Sequence, residues 1–258
     1  MAATARSAII TGPAKIVRAT FACHTKSPIQ VTITKDTVPI QVDAYGKIDE
    51  RAVDAMVKVS FTPDGRWSSN IRSLLFPYLN PTIGGDIFTA SDVPLTIHDS
   101  NSHLHTVIAS ACTKMPSIRL SPKETILGDC EFTGIRGTGA DWAAADKLYT
   151  VATTGGTLTD TAFTVAAIKT QLYTGAWGAK TGFTAIVTED GWTIDWDLGI
   201  SYMQIDEVGT VKAVLNSVSC MAKCVPIGPT WANIVAGQLI QDSGSARGAS
   251  LQGGGADL

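Results

Sequence analysis

Residues 38–61 read VPIQVDAYGKIDERAVDAMVKVSF, and this stretch decides the fold. A short apolar run at 38–42 leads into an Asp-rich turn that contains Tyr45 and Gly46. A second run at 55–61, AMVKVSF, follows, and its VKVSF half alternates apolar and polar side chains. Alternation with period two places one set of side chains on a buried face and the other in water, the pattern of a half-buried strand. The stretch is therefore a β-hairpin. It carries no catalytic grouping, and it reads as an ordered surface offered to other copies of the chain.

Strand signals continue on both sides. Residues 29–34 form a strand-like run before the hairpin, and Pro63, Asp64 and Gly65 end it with strong turn chemistry. Residues 69–79, SNIRSLLFPYL, are the first helix expected: Ser68 or Ser69 caps it, Ile71, Leu74, Leu75 and Tyr78 share a side, and Pro77 stops or kinks it near Phe76. Strands are expected at 94–98, 104–110, 116–120 and 124–135. Residues 137–156 read as a loop, and 161–173 as a short helix or loop. Residues 182–200, GFTAIVTEDGWTIDWDLGI, alternate on both sides of Asp190 and Gly191, which predicts a hairpin turning at that pair. Residues 203–205 and 210–219 form a second pair around 207–209.

These signals predict a mainly β protein, a sandwich or barrel with one or two short helices and long loops or arms. The expected organisation is an N-terminal arm or edge segment at 1–20, a single β-sandwich domain at 21–240, and a Gly- and Ser-rich tail at 241–258 that does not fold alone. A chain of 258 residues is long enough for such a core. The net charge is −3, from 20 basic and 23 acidic residues, and no clustered basic face is evident, so a firm grip on nucleic acid is not expected. No secretion leader and no membrane-spanning run of about 20 apolar residues is read. Five cysteines (23, 112, 130, 220, 224) sit in strand-like runs and suit buried free thiols in a reducing cytosol.

Each candidate for chemistry meets a plainer reading. His98, His103 and His105 cluster with Asp99, and His103 and His105 share a strand face, which is the minimum for a metal pair. DSNSH also reads as a simple turn, so no metal or other cofactor is assigned. Cys220 and Cys224 are spaced more widely than a zinc pair, and Cys220 is expected to be buried as a small hydrophobe. Asp195 and Asp197 are the wet side of a strand whose Ile194, Trp196 and Leu198 face inward, a better account than a glycosidase pair. GIRGTG at 134–139 lacks the ending of a phosphate loop. The six tryptophans are scattered, which suits anchoring more than a sugar platform. No nucleophile–base arrangement appears, so the chain is not expected to be an enzyme.

The turn QVDAYGKIDERAV at 41–53, followed by the AMVKVSF strand, resembles the N-terminal part of the major tail tube proteins of long-tailed, double-stranded DNA bacteriophages. The run LSPKETILGDCEFTGI at 120–135 is similar to the strand pair that follows in that family. So is the block from Gly182 to Pro229, where TEDGW precedes DEVGTVKAVLNSV and a proline-rich exit. The likeness covers about two thirds of the chain. It implies a β-sandwich or barrel whose subunits close into rings, usually hexameric, that stack into a tube conducting DNA to the host. The implied partners are copies of the chain, other phage tail proteins, and double-stranded DNA that passes through the lumen without specific binding. The implied location is the virion, after synthesis in the bacterial cytoplasm. On this reading the 38–61 hairpin lines the lumen or joins a neighbour's sheet through Asp43, Tyr45, Lys47, Asp49, Glu50 and Arg51. Residues 69–81 would contact the adjoining ring, and deleting 43–54 is expected to leave a folded chain unable to polymerise. Competing readings are another virion part (tail terminator, head–tail connector, capsid decoration protein), a carbohydrate-binding module, or a hydrolase using the 192–198 carboxylates.

Overall fold

The computed structural model describes residues 2–26, 28–67, 74–78, 82–88, 94–120, 125–135, 148–158, 188–205, 209–226, 240–242, 249–253 and 256–257. The protein is mainly β, built from several antiparallel sheets. The strands are β1 (Ala2–Ile10), β2 (Lys15–Arg18), β3 (Phe21–Thr25), β4 (Ile29–Val42), β5 (Gly46–Phe61), β6 (Pro63–Trp67), β7 (Leu95–His98), β8 (Leu104–Val107) and β9 (Ser110–Lys114). They continue with β10 (Ile118–Leu120), β11 (Thr125–Leu127), β12 (Cys130–Ile135), β13 (Tyr149–Ala152), β14 (Thr188–Ile205), β15 (Gly209–Pro226), β16 (Ile240–Asp242), β17 (Ala249–Gly253) and β18 (Ala256–Asp257). A five-stranded sheet runs β1-β4-β5-β12-β9, a six-stranded sheet β13-β8-β7-β2-β3-β6, and a four-stranded sheet β11-β10-β14-β15.

All three sheets feed one core. Ile29, Val31, Val57, Val59, Phe61 and Phe132 come from the five-stranded sheet, Ile16, Leu95, Ile97 and Val107 from the six-stranded sheet, and Ile118 and Leu127 from the four-stranded sheet. Two-residue spacing within each run is what delivers these side chains to one face. The chain changes sheets at a corner: β5 ends at Phe61, and the Lys26 N–H donates to the Thr62 carbonyl (2.8 Å) just before β6 begins.

Several expectations are corrected. The runs at 29–34 and 38–42 are one continuous strand, because Lys35, Asp36 and Thr37 pair with β1 on one side and β5 on the other, and the register shift between Asp36 and Thr37 places its extra residue, Val53, on β5. Pro63, Asp64 and Gly65 do not end the strand run as a turn: they begin β6, an edge strand, where a proline at the first position costs no ladder bond. Asp190 and Gly191 are likewise not a turn. They lie within β14, in a register break between Thr188 and Trp192, because Trp192 pairs with both Leu120 and Cys224 and holds the chain extended. The hairpin expected around 207–209 is present, with strands that run on to Thr188 and Pro226.

Within the expected N-terminal arm, β1 is an edge strand, but β2 is interior to its sheet and Ile16 is fully buried. Of the helix expected over 69–79, Leu74 and Leu75 are helical and the helix ends before Pro77, while 68–73 lie outside the described residues. The expected 137–156 loop holds β13, while 161–173 lies outside the described residues. In the tail, β16 pairs with β17 and β17 with β18 in a small sheet.

The thiols divide by position. Cys23, Cys112 and Cys130 are buried, whereas Cys220 is exposed, contrary to expectation, because β15 beyond Val218 runs out past the core. Burial pushes the Cys112 thiol up to about 12 and raises Cys23 and Cys130 strongly as well. The thiolate is the reactive form. Alkylation of the folded protein at mildly alkaline pH is therefore expected to label Cys220 and to spare Cys23, Cys112 and Cys130 until denaturant is added. Peptide mass mapping checks this, and labelling of the three core thiols at the Cys220 rate would contradict the packing.

Candidate assembly surface

Beyond the core, the five-stranded sheet narrows to a ribbon. β1 pairs with β4 from Ile29 to Thr37, and β12 pairs with β5 from Phe61 back to Met56. Past those points, among the described residues, β4 and β5 continue alone, paired through Val38↔Arg51, Pro39↔Glu50, Ile40↔Asp49 and Val42↔Gly46. At about 3.3 Å per residue, the part of β4 from Val38 to Val42 extends about 13 Å. Pro39 falls where β1 has ended and β4 has become an edge strand, the position at which proline is tolerated. The tip closes with the Tyr45 N–H donating to the Val42 carbonyl at 2.9 Å. Gly46 follows at φ +70°, a left-handed conformation in which a Cβ is strained.

The side chains of this ribbon are unlike those of the body. Val38, Ile40 and Val42 stand two apart, so they form a β-branched stripe on one face, and all three are exposed. Ile48 is 55% exposed and Tyr45, at the tip, is 82% exposed. Asp43, Lys47 and Asp49 are exposed among them, while Glu50 and Arg51 stand in β5 opposite Pro39 and Val38. Of the proposed contact residues, then, Asp43, Tyr45, Lys47 and Asp49 lie at the surface of the overhang, and the backbone register brings Glu50 and Arg51 to the same ribbon. A two-stranded ribbon with an exposed apolar stripe is marginal in water by itself and gains from a partner.

A second ribbon meets the root of the first. β14 and β15 pair along their length, and their turn end is clamped to β5 by Asp54. The Thr210 N–H donates to Asp54 Oδ1 at 2.9 Å, and its hydroxyl to Asp54 Oδ2 at 2.8 Å. Gln204 Nε2 donates to the same Oδ2 at 3.3 Å. This clamp leaves Tyr202, Met203 and Ile205 exposed beside the ribbon's root. Asp54 therefore belongs to the anchor, and a deletion of 43–54 would remove anchor and overhang together. Thr210 is 1% exposed. Asp54→Ala is expected to strand its N–H and to lower stability by about 1–3 kcal/mol, read from urea unfolding. An unchanged midpoint would contradict the clamp.

The other candidates fall as follows. Leu74, Leu75 and Phe76 are buried in the core, Tyr78 is half-buried and Pro77 is exposed, while 69–73 and 79–81 lie outside the described residues. Ile194, Trp196 and Leu198 pack against the core, with Asp195 and Asp197 on the wet side as expected. Asp195 is ion-paired with Lys223 at 3.1 Å, which gives it a structural partner. Trp196 packs on Phe76, with ring centroids 6.0 Å apart, and the placement of Trp142, Trp177 and Trp231 lies outside the described residues. Of GIRGTG, Gly134 and Ile135 are in β12, and the rest also lies outside. A cavity of about 280 Å³ is lined by Arg18, Tyr78, Asp86, Cys112 and Phe132 among others. Burial raises its phenol and its thiol and lowers its guanidinium, which keeps Tyr78 and Cys112 protonated rather than activating a nucleophile.

The histidines do converge. Asp99, His103 and His105 bring one ligand atom each to within 4.8 Å of the others, while His98 turns away to accept the Thr157 N–H at 3.0 Å. Sequence spacing indicated the His103–His105 pair. It carried no signal for Tyr149, whose hydroxyl lies 2.6 Å from His105 Nδ1, or for the Asp54–Thr210 clamp.

No protein-family model matches the chain, and no curated protein matches it significantly.

Proposed function

We propose that this chain is a structural virion protein that assembles with copies of itself into stacked rings, as the subunit of a phage tail tube. The observation that carries the proposal is the overhanging β4–β5 ribbon, whose apolar stripe at Val38, Ile40 and Val42 and whose tip at Tyr45 are exposed. A ribbon that projects from a sheet is suited to extending the sheet of a neighbour, since main-chain bonding and alternate side-chain contacts then act together. A second copy is the fitting occupant, because head-to-tail contacts repeated by rotation close a ring and stacking continues it into a tube. The resemblance implies a ring that is usually hexameric. The net charge of −3 suits a channel through which DNA slides, since strong binding to DNA requires neutralised phosphates. The reading assigns no catalysis and no cofactor.

Negative-stain electron microscopy of the concentrated, untagged protein tests this. Hollow tubes or stacked rings are expected. Single closed rings would instead favour a terminator or connector, and dispersed monomers at all concentrations would contradict self-assembly.

A further inference from the structure

We propose that Asp99, His103 and His105 form a binding site for a divalent transition-metal ion of the zinc class. The three residues sit on and beside the β7–β8 turn, with Asp99 directly after β7, His103 in the turn and His105 in β8. His103 Nδ1 lies 3.1 Å and His105 Nε2 3.4 Å from the same oxygen, Asp99 Oδ2. Around a four-coordinate zinc with bonds of about 2.0–2.1 Å, neighbouring ligand atoms stand about 3.3–3.4 Å apart. The two measured separations bracket that edge. Two imidazoles and one carboxylate favour zinc-like ions over magnesium or calcium, which take oxygen ligands.

The site is built before any ion arrives. Asp99 Oδ1 accepts the backbone N–H groups of Asn101 (2.9 Å) and His103 (2.8 Å), which leaves Oδ2 facing the two rings. Burial alone would raise the Asp99 carboxyl, but those N–H groups, together with the His105 ring and the His103 charge, hold it below the usual carboxylate range and keep it anionic. The Asp99 N–H donates to the His103 carbonyl, the Gly156 N–H donates to the Ser102 carbonyl, and Ser102 sits at φ +65°. Tyr149, on β13, places its hydroxyl 2.6 Å from His105 Nδ1. With an ion at Nε2 the ring carries its proton on Nδ1, where the Tyr149 hydroxyl oxygen accepts it, the outer-sphere arrangement common to histidine metal sites. The side chains of Asp99 and His105 are 7% and 10% exposed, and that of His103 is 37% exposed. The triad is thus shielded on one side and open at His103, where the ion enters and water completes the coordination. A bound ion would tie β7, β8 and, through Tyr149, β13 together.

The test uses the full, untagged chain, stripped with a chelator and dialysed. Calorimetric titration with zinc chloride is expected to give one ion per chain and a higher melting temperature. Cobalt(II) in place of zinc is expected to give the visible bands of a four-coordinate ion. His103→Ala, whose loss touches none of the backbone bonds of the turn, is expected to melt as the stripped protein does and to lose stoichiometric binding. Tyr149→Phe is expected to weaken binding about tenfold or more. His24→Ala, outside the triad, is expected to bind as the unaltered chain does. Absence of stoichiometric zinc binding and of cobalt bands in the unaltered chain would overturn the proposal, as would unchanged binding by His103→Ala.

Discussion

A chain in which residues 38–51 are replaced by Asn-Gly, joining Thr37 directly to Ala52, is expected to fold and to remain monomeric under conditions where the unaltered protein assembles. Thr37 and Ala52 are already paired across the two strands, so a two-residue turn closes the shortened hairpin without a change of register. Those of the removed side chains that the structure describes are exposed, and none belongs to the core cluster. Asp54 and its bonds to Thr210 and Gln204 are kept. Shortening the connection also lowers the entropy lost on closing it, so thermal unfolding is expected within a few degrees of the starting protein. What is lost is the stripe of Val38, Ile40 and Val42 and the tip at Tyr45, the surface assigned to the neighbouring copy. The expected effect is therefore close to all-or-none in sedimentation velocity and close to nil in melting temperature. Tubes or rings from the shortened chain would remove the ribbon from the interface.

Phe132→Ala is expected to produce the largest loss of stability of any single truncation considered for this fold, about 3–5 kcal/mol. Phe132 is 1% exposed, lies on β12, an interior strand of the five-stranded sheet, and stacks on Phe61 with ring centroids 6.0 Å apart and planes 13° from parallel. It also forms part of the wall of the existing cavity, so its removal enlarges a space that neighbouring side chains already leave open. A domain stability of about 5–15 kcal/mol leaves little margin after such a loss. Urea unfolding is expected to show a much lower midpoint with a similar slope. Phe132→Leu, which keeps more of the volume, is expected to lose less. A midpoint unchanged by Phe132→Ala would mean that Phe132 is not packed in the core described.

Much of this architecture is written in local alternation. Val57, Val59 and Phe61 face the core on a two-residue period, and Tyr45 and Gly46 mark the hairpin tip where the chain turns. The misreadings have a common cause, which is pairing at a distance. Asp190 and Gly191 have the chemistry of a tight turn, yet the partners of Trp192 on β10 and β15 lie far away in sequence and hold them extended. Lys35, Asp36 and Thr37 look like a break between strands, and pairing with β1 on one side and β5 on the other carries β4 through them. Cys220 follows the alternation of a buried residue, but β15 has left the core by that point, and alternation does not reveal where a core ends. The ribbon was legible as a hairpin because its signals are adjacent. The clamp at Asp54 was not, because its partner Thr210 is 156 residues away. For the same reason the spacing of His103 and His105 was visible, whereas Tyr149 behind them was not.

Amide hydrogen exchange, measured residue by residue on the chain in dilute solution and again after concentration has driven assembly, tests the central claim most directly. The ribbon should exchange quickly in the dilute state, since only two strands protect it. Residues 38–42 and 46–51 are expected to become strongly protected on assembly, while the already buried strands of the core change little. Exchange through the ribbon that is equally fast in both states, with protection appearing on another face, would contradict the assignment of this surface to a second copy.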